Sequence, residues 1–171
     1  SQIIGVALLL FRTVTYPTKH QDILEPLNQR HHREEMTMSD TYEGSSQQYD
    51  AVYETDVIVA ARDGTRLATD IYFPAVGGRR AEGPFPVILE RTPYNKATAR
   101  QASKGKYFAR RGYVCAIQDV RGRFESEGEW HAFGGEAADG YDAVEWLGTQ
   151  PWSDGKVGTM GDSYAGSDQA A

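Results

Sequence analysis

Cysteine is all but missing: Cys115 stands alone among 171 residues, so no intrachain disulfide can form and nothing marks an oxidising compartment. Set in an apolar run, that thiol reads as a small buried hydrophobe. An excess of basic residues is missing too. Lys and Arg number 18 against 24 Asp and Glu, a net charge of −6, which argues against a nucleic-acid partner, and no Lys/Arg stripe offsets it. The short basic clusters at Arg30 to Arg33, Arg79-Arg80 and Arg110-Arg111 read as solvated faces. The apolar run Ile3 to Phe11 has nine residues, too few for a membrane helix, so no membrane partner is expected. Neither a Walker-type nor a G-x-G-x-x-G phosphate loop occurs, which removes a nucleotide-binding α/β domain. Four histidines are present but none has zinc-site spacing, and His31 and His32 are adjacent; no metal or cofactor is expected.

What remains is ordinary globular material, 40% hydrophobic and 25% charged, of a length that suits one compact domain. The front departs from this. The chain opens at Ser1 and, through Pro17 and Pro26, shows no clear helical or strand period. Residues 1–51 therefore read as an unstructured or non-native leader, with Met36 or Met38 as alternative starts. Residues 52–171 read as the patterned, folding segment. No complete export signal is visible, so the cytoplasm is the default compartment.

From residue 52 strands and helices alternate. Val57 to Ala61 and the segment marked by Leu67, Ile71 and Phe73 flank Asp63-Gly64, a hairpin signal. Pro86 to Leu89 is a continuous apolar run, as in a strand covered on both faces. Ala97 to Arg111 has mostly helix-forming composition, with Gly112 at its end. Tyr113 to Val120 is the next buried strand. Glu136 to Leu147 carries Ala137, Tyr141, Val144 and Leu147 at intervals of four, three and three, predicting a helix with that stripe inward. Lys156 to Met160 is a short strand, and a further helix opens after it. A hairpin followed by this alternation predicts an α/β fold, a mixed sheet with parallel central strands and helices on its faces.

The last strand runs into Gly161-Asp162-Ser163-Tyr164-Ala165-Gly166. Gly-x-Ser-x-Ala between a strand and a helix is a variant of the nucleophile elbow, a crowded turn that exposes a serine hydroxyl. The amide after the serine, that of Tyr164, then lies at a helix N-terminus, where an oxyanion is stabilised. A second reading stays open on this motif alone: Ser163 as the N-cap of the helix.

Four stretches add to the motif: Arg62-Asp63-Gly64-x-Arg66-Leu67-Ala68-x-Asp70, Thr92-Pro93-Tyr94-Asn95-Lys96, Gln118 to Gly122 with Ser126 to Glu129, and Gly161-x-Ser163-Tyr164-x-Gly166. Together they resemble the cocaine esterase / Xaa-Pro dipeptidyl-peptidase family of serine hydrolases. The resemblance implies the N-terminal part of an α/β-hydrolase fold and cleavage of ester or amide bonds, in small-molecule or peptide substrates, through an acyl-serine. It implies Ser163 as nucleophile, the Tyr94 hydroxyl as one oxyanion donor and the Tyr164 N–H as the other. Arg121 is expected to hold its loop by pairing with Asp119 or Glu127, and Asp162 to be a solvated or turn-bonding carboxylate.

In α/β-hydrolases the triad Asp/Glu and His follow the serine. Only eight residues follow Ser163 and none is histidine; His131 precedes it in a loop. The chain by itself is therefore expected to be inactive and poorly soluble, with a sheet edge left unpaired. The competing expectation is a truncated, non-catalytic remnant or an α/β interaction module. Nothing in the sequence bears on oligomeric state.

Overall fold

The structure is a computed structural model, and it describes residues 45–168. Among these, Tyr49 already belongs to the fold, its ring set edge-on to Phe85, and the first strand, β1 (Asp50–Ala60), begins two residues before the expected boundary. The rest of the expected leader, with Met36 and Met38, lies outside the described residues.

β1 pairs antiparallel with β2 (Arg66–Val76), and the predicted hairpin forms because Asp63 Oδ1 accepts from Thr65 N at 3.0 Å while Gly64 takes a positive φ of 87°. The two-residue β3 (Arg79–Arg80) adds to β2. Then follow β4 (Phe85–Thr92), α1 (Ala99–Ala109), β5 (Val114–Asp119), α2 (Glu136–Gly148), β6 (Ser153–Thr159) and α3 (Tyr164–Asp168). The sheet order is β1-β2-β5-β4-β6. β2 runs antiparallel to β5, and β4 runs parallel to both β5 and β6. The winding reverses at β4: the chain leaves it for β5 on one side and returns past it to β6 on the other. Crevices at such reversals, at the carboxyl ends of parallel strands, are where α/β folds place their sites.

Thr98 caps α1, its Oγ1 accepting from Gln101 N, and Gly112 beyond the helix takes a φ of 84°. Gly105, an unfavourable residue inside a helix, is there for contact: a Cβ at that position would collide with the ring of Tyr72.

Alternation along the strands divides the core between two faces. Ile71, Phe73, Val87, Leu89, Val114 and Ala116 meet Ala143 and Leu147 of α2. Tyr72, Cys115 and Ile117 meet Ala109 of α1, and Cys115 is fully buried as expected. Toward the carboxyl ends of β4 and β5 both faces turn polar while staying buried. Thr69, Gln118 and Arg91 continue the α2 face; Asp70, Asp119 and Glu90 continue the α1 face.

That polar row corrects the predicted inward stripe of α2. Ala137 and Tyr141 are exposed, and the buried residues are Glu136, Asp139, Ala143 and Leu147. The first turn of the helix faces Arg91, so carboxylates are buried where apolar residues were expected. No helix among the described residues is long and apolar enough to cross a membrane.

Candidate active site

Two loops meet at the carboxyl ends of β4 and β6. After β6, Gly161 packs so tightly that a Cβ would collide with the Ala165 carbonyl, which fixes glycine at that position. Ser163 takes a φ of 57°, in the left-handed region that costs a non-glycine residue about 1–3 kcal/mol. The Ser163 carbonyl, not its hydroxyl, accepts from the first amides of α3, Gly166 N at 3.0 Å and Ser167 N at 3.2 Å. The exposed hydroxyl has a different neighbour: Ser163 Oγ and Tyr94 Oη lie 3.5 Å apart, at the outer limit of hydrogen bonding.

Tyr94, 56% exposed, stands on the loop after β4. Its N–H donates to Thr92 Oγ1 at 3.0 Å, and Asn95 takes a φ of 80°. The loop is held by Lys96, which is 2% exposed. Its Nζ lies 2.6 Å from Asp56 and 3.0 Å from Asp70, and its N–H donates to Asp119 Oδ1 at 2.8 Å. Burial works against charge on Lys96, but the hydrogen bonds it donates to Asp56 and Asp70 outweigh it and hold the ammonium pKa above its usual value. Burial likewise raises the Asp119 carboxyl, against the hydrogen bonds it accepts from the amides of Lys96 and Glu125.

Tyr164 is anchored separately. Its hydroxyl accepts from Phe133 N at 2.7 Å and donates to Glu136 Oε1 at 3.2 Å, and its ring stacks on Phe133 with centroids 4.5 Å apart. Burial raises the pKa of the phenol. Behind Glu136 lies Arg91, 1% exposed, with Nη1 3.1 Å from Glu136 Oε2. Arg91 also donates from Nε to Gln118 Oε1 at 3.0 Å and from Nη1 to the Glu136 carbonyl at 2.9 Å.

The cleft beside Ser163, about 410 Å³, is lined by Tyr94, Glu90, Gln101, Lys104 and Asp162 among others. Glu90 accepts from Gln101 Nε2 at 2.9 Å and is ion-paired to Lys104. Asp162 is exposed and pairs with Arg100 at 3.2 Å.

The structure thus brings Ser163, Tyr94 and Tyr164 together. It leaves His131 apart, 74% exposed at its side chain and 3.6 Å from Glu129. Arg121 does hold its loop, but not through the expected partners. Asp119 points to the α1 face and Glu127 lies 3.7 Å from Arg66; Arg121 instead forks onto Asp139 at 2.7 and 3.0 Å and reaches Asp63 at 2.8 Å. Arg91, Lys96 and Glu136 were not singled out from the sequence. The available signal was charge placed directly after or beside an apolar strand, as in Glu90-Arg91 following Val87 to Leu89.

Residues 63–171 match the model of a family described as X-Pro dipeptidyl-peptidase (S15 family). Cocaine esterase of Rhodococcus sp. (strain MB1 Bresler) is 44% identical over 116 residues, covering 66% of this chain and 19% of that protein. Among solved structures, an α-amino acid ester hydrolase superposes with a TM-score of 0.56 at 27% identity, covering 77% of this chain and 25% of the other. A CocE/NonD family hydrolase from Staphylococcus aureus gives a TM-score of 0.60 at 26% identity, covering 70% and 24%. The chain spans about a fifth of the length of the curated relatives it matches. Its mixed sheet with flanking helices is the N-terminal part of the α/β-hydrolase fold of these neighbours.

Proposed function

This chain belongs to the X-Pro dipeptidyl-peptidase (S15) family, and from that premise we propose that it carries the nucleophile and oxyanion donors of a serine acyl hydrolase. The observation that carries the reading is the 3.5 Å approach of Ser163 Oγ and Tyr94 Oη at the carboxyl ends of adjacent parallel strands.

In this reading Ser163 Oγ attacks the carbonyl carbon of an ester or amide and gives up its proton to a general base. The carbonyl π electrons move onto oxygen, and that oxyanion accepts from the Tyr94 O–H and the Tyr164 N–H. Donors aimed at developing charge are worth about 10²–10³ in rate each. Collapse expels the leaving alcohol or amine, which takes the proton from the base, and leaves acyl-Ser163. Water, giving a proton to the base, then attacks the acyl carbon; the C–Oγ bond breaks, the carboxylic acid leaves and Oγ recovers the proton. The strained φ of Ser163 serves this by holding the hydroxyl clear of α3.

The base and its orienting carboxylate would come from outside the described residues. His131 and Asp162 are occupied elsewhere, facing Glu129 and Arg100. Relatives named for cocaine, for α-amino acid esters and for X-Pro dipeptides support a small ester or amide substrate. The 44% identity to an esterase favours an ester.

The test is labelling of the full-length protein by a fluorophosphonate probe. Labelling abolished by Ser163→Ala in a folded protein supports the reading, and labelling that survives the substitution overturns it.

A further inference from the structure

The helix that follows Ser163, α3, spans Tyr164–Asp168, five residues. Tyr164, its first residue, is held through its side chain. The phenol oxygen sits between Phe133 N, which donates to it at 2.7 Å, and Glu136 Oε1, which accepts from it at 3.2 Å. Phe133 takes a φ of 59° to present that amide, so the loop before α2 is strained in favour of this contact.

Glu136 is itself buried and ion-paired. It is 5% exposed, heads α2, and is held by Arg91 through both its carboxylate and its carbonyl, at 3.1 and 2.9 Å. Arg91 is a residue of β4, three positions before Tyr94. The tether on Tyr164 therefore ends on the strand that carries the other donor. Both oxyanion donors are referred to one rigid element.

We infer that Glu136 is a positioning residue for the reaction: through the Tyr164 hydroxyl it sets the place of the Tyr164 amide relative to Ser163 and Tyr94, with Arg91 as its anchor. The inference rests on the acyl-hydrolase reading above and adds to it a residue that touches no reacting atom. A displacement of about 1 Å at such a donor costs about 10²-fold in rate, so a lost tether has a measurable effect. A bland role is the competing account, in which Glu136 only neutralises Arg91.

Tyr164→Phe separates the two. It removes the hydroxyl, leaves the ring on Phe133, and leaves the Arg91–Glu136 pair intact. Glu136→Gln keeps an acceptor for the phenol but removes the charge facing Arg91. In the full-length protein, with rates normalised to titrated active sites, Tyr164→Phe is expected to lower kcat about 10-fold with KM within twofold. It should also weaken a boronate transition-state analogue by a similar factor. Glu136→Leu, which removes the acceptor, should lower kcat by a similar factor, and Glu136→Gln, which keeps one, should restore part of that loss, even if the thermal midpoint of both falls. Unchanged kcat and boronate affinity in Tyr164→Phe would overturn the inference, as would a folded Glu136→Leu with the parent's kcat. Ser163→Ala run alongside keeps the two claims apart: turnover surviving there removes the acyl-hydrolase reading, while turnover lost there with a silent Tyr164→Phe removes only the tether.

Discussion

Two buried charge clusters underlie the turn at Ser163, one on each face of the sheet, and they are built differently. On the α1 face Lys96 is surrounded by Asp56, Asp70 and Asp119. Among the described residues each buried polar side-chain atom of this cluster has a partner. On the α2 face Arg91 is shared among Gln118, Glu136 and Asp139, and Arg91 Nη2, Glu136 Oε2 and both oxygens of Asp168 are buried with no hydrogen bond among the described residues. Burial, with Glu136 nearby and despite Arg91, pushes the Asp168 carboxyl up to about 7. The first cluster is a satisfied frame that fixes Tyr94. The second is short of donors and holds Tyr164 through a single hydroxyl. A satisfied buried network rigidifies, whereas a partly satisfied one is where protons and movement enter.

The comparison can be broken at its cations. Lys96→Met leaves carboxylates facing one another and should cost about 3–5 kcal/mol at every pH from 5 to 8, read by urea unfolding. Arg91→Met should cost about as much at pH 8 and clearly less at pH 5, because Asp168 is then protonated. Equal losses at both pH values for Arg91→Met would erase the distinction.

Tyr94→Phe tests whether the satisfied frame exists for catalysis. It should lower kcat by about 10²-fold and leave the unfolding midpoint within error, since the hydroxyl faces Ser163 and not the Lys96 cluster. A stability loss without a rate loss would place Tyr94 in the scaffold instead.

Asp168→Asn gives the sharpest sign. A carboxyl whose folded pKa lies near 7, above its unfolded 3.8, destabilises the fold increasingly as pH rises between those values. The amide variant should therefore have the higher thermal midpoint at pH 8, with the gap closing toward pH 4. A gap that widens on acidification would contradict this account of the second cluster.

The turn at Ser163 was legible because its glycine requirement is local: Gly161 has no room for a side chain, and the pattern says so without knowledge of the fold. The order of strands and helices was legible through apolar runs and through Asp63-Gly64. Tyr94 needed the resemblance, since nothing in Thr92-Pro93-Tyr94 distinguishes a donor from an exposed aromatic. The partners of Arg121 and the inward face of α2 were misread for one common reason. Buried charge inverts the hydrophobic pattern, so Glu136 and Asp139 read as surface while Ala137 and Tyr141 read as core. Arg91, on β4, explains that inversion from another part of the chain, and pattern along one helix cannot report it.

The central claim is that an acyl group passes through Ser163. The most direct measurement is rapid quench of the full-length protein with a slowly deacylated p-nitrophenyl ester, followed by peptide mass analysis. The account predicts a burst of p-nitrophenol and one acyl mass on the peptide containing Ser163, both absent in Ser163→Ala. An acyl mass on another residue, or undiminished turnover in Ser163→Ala, would contradict it.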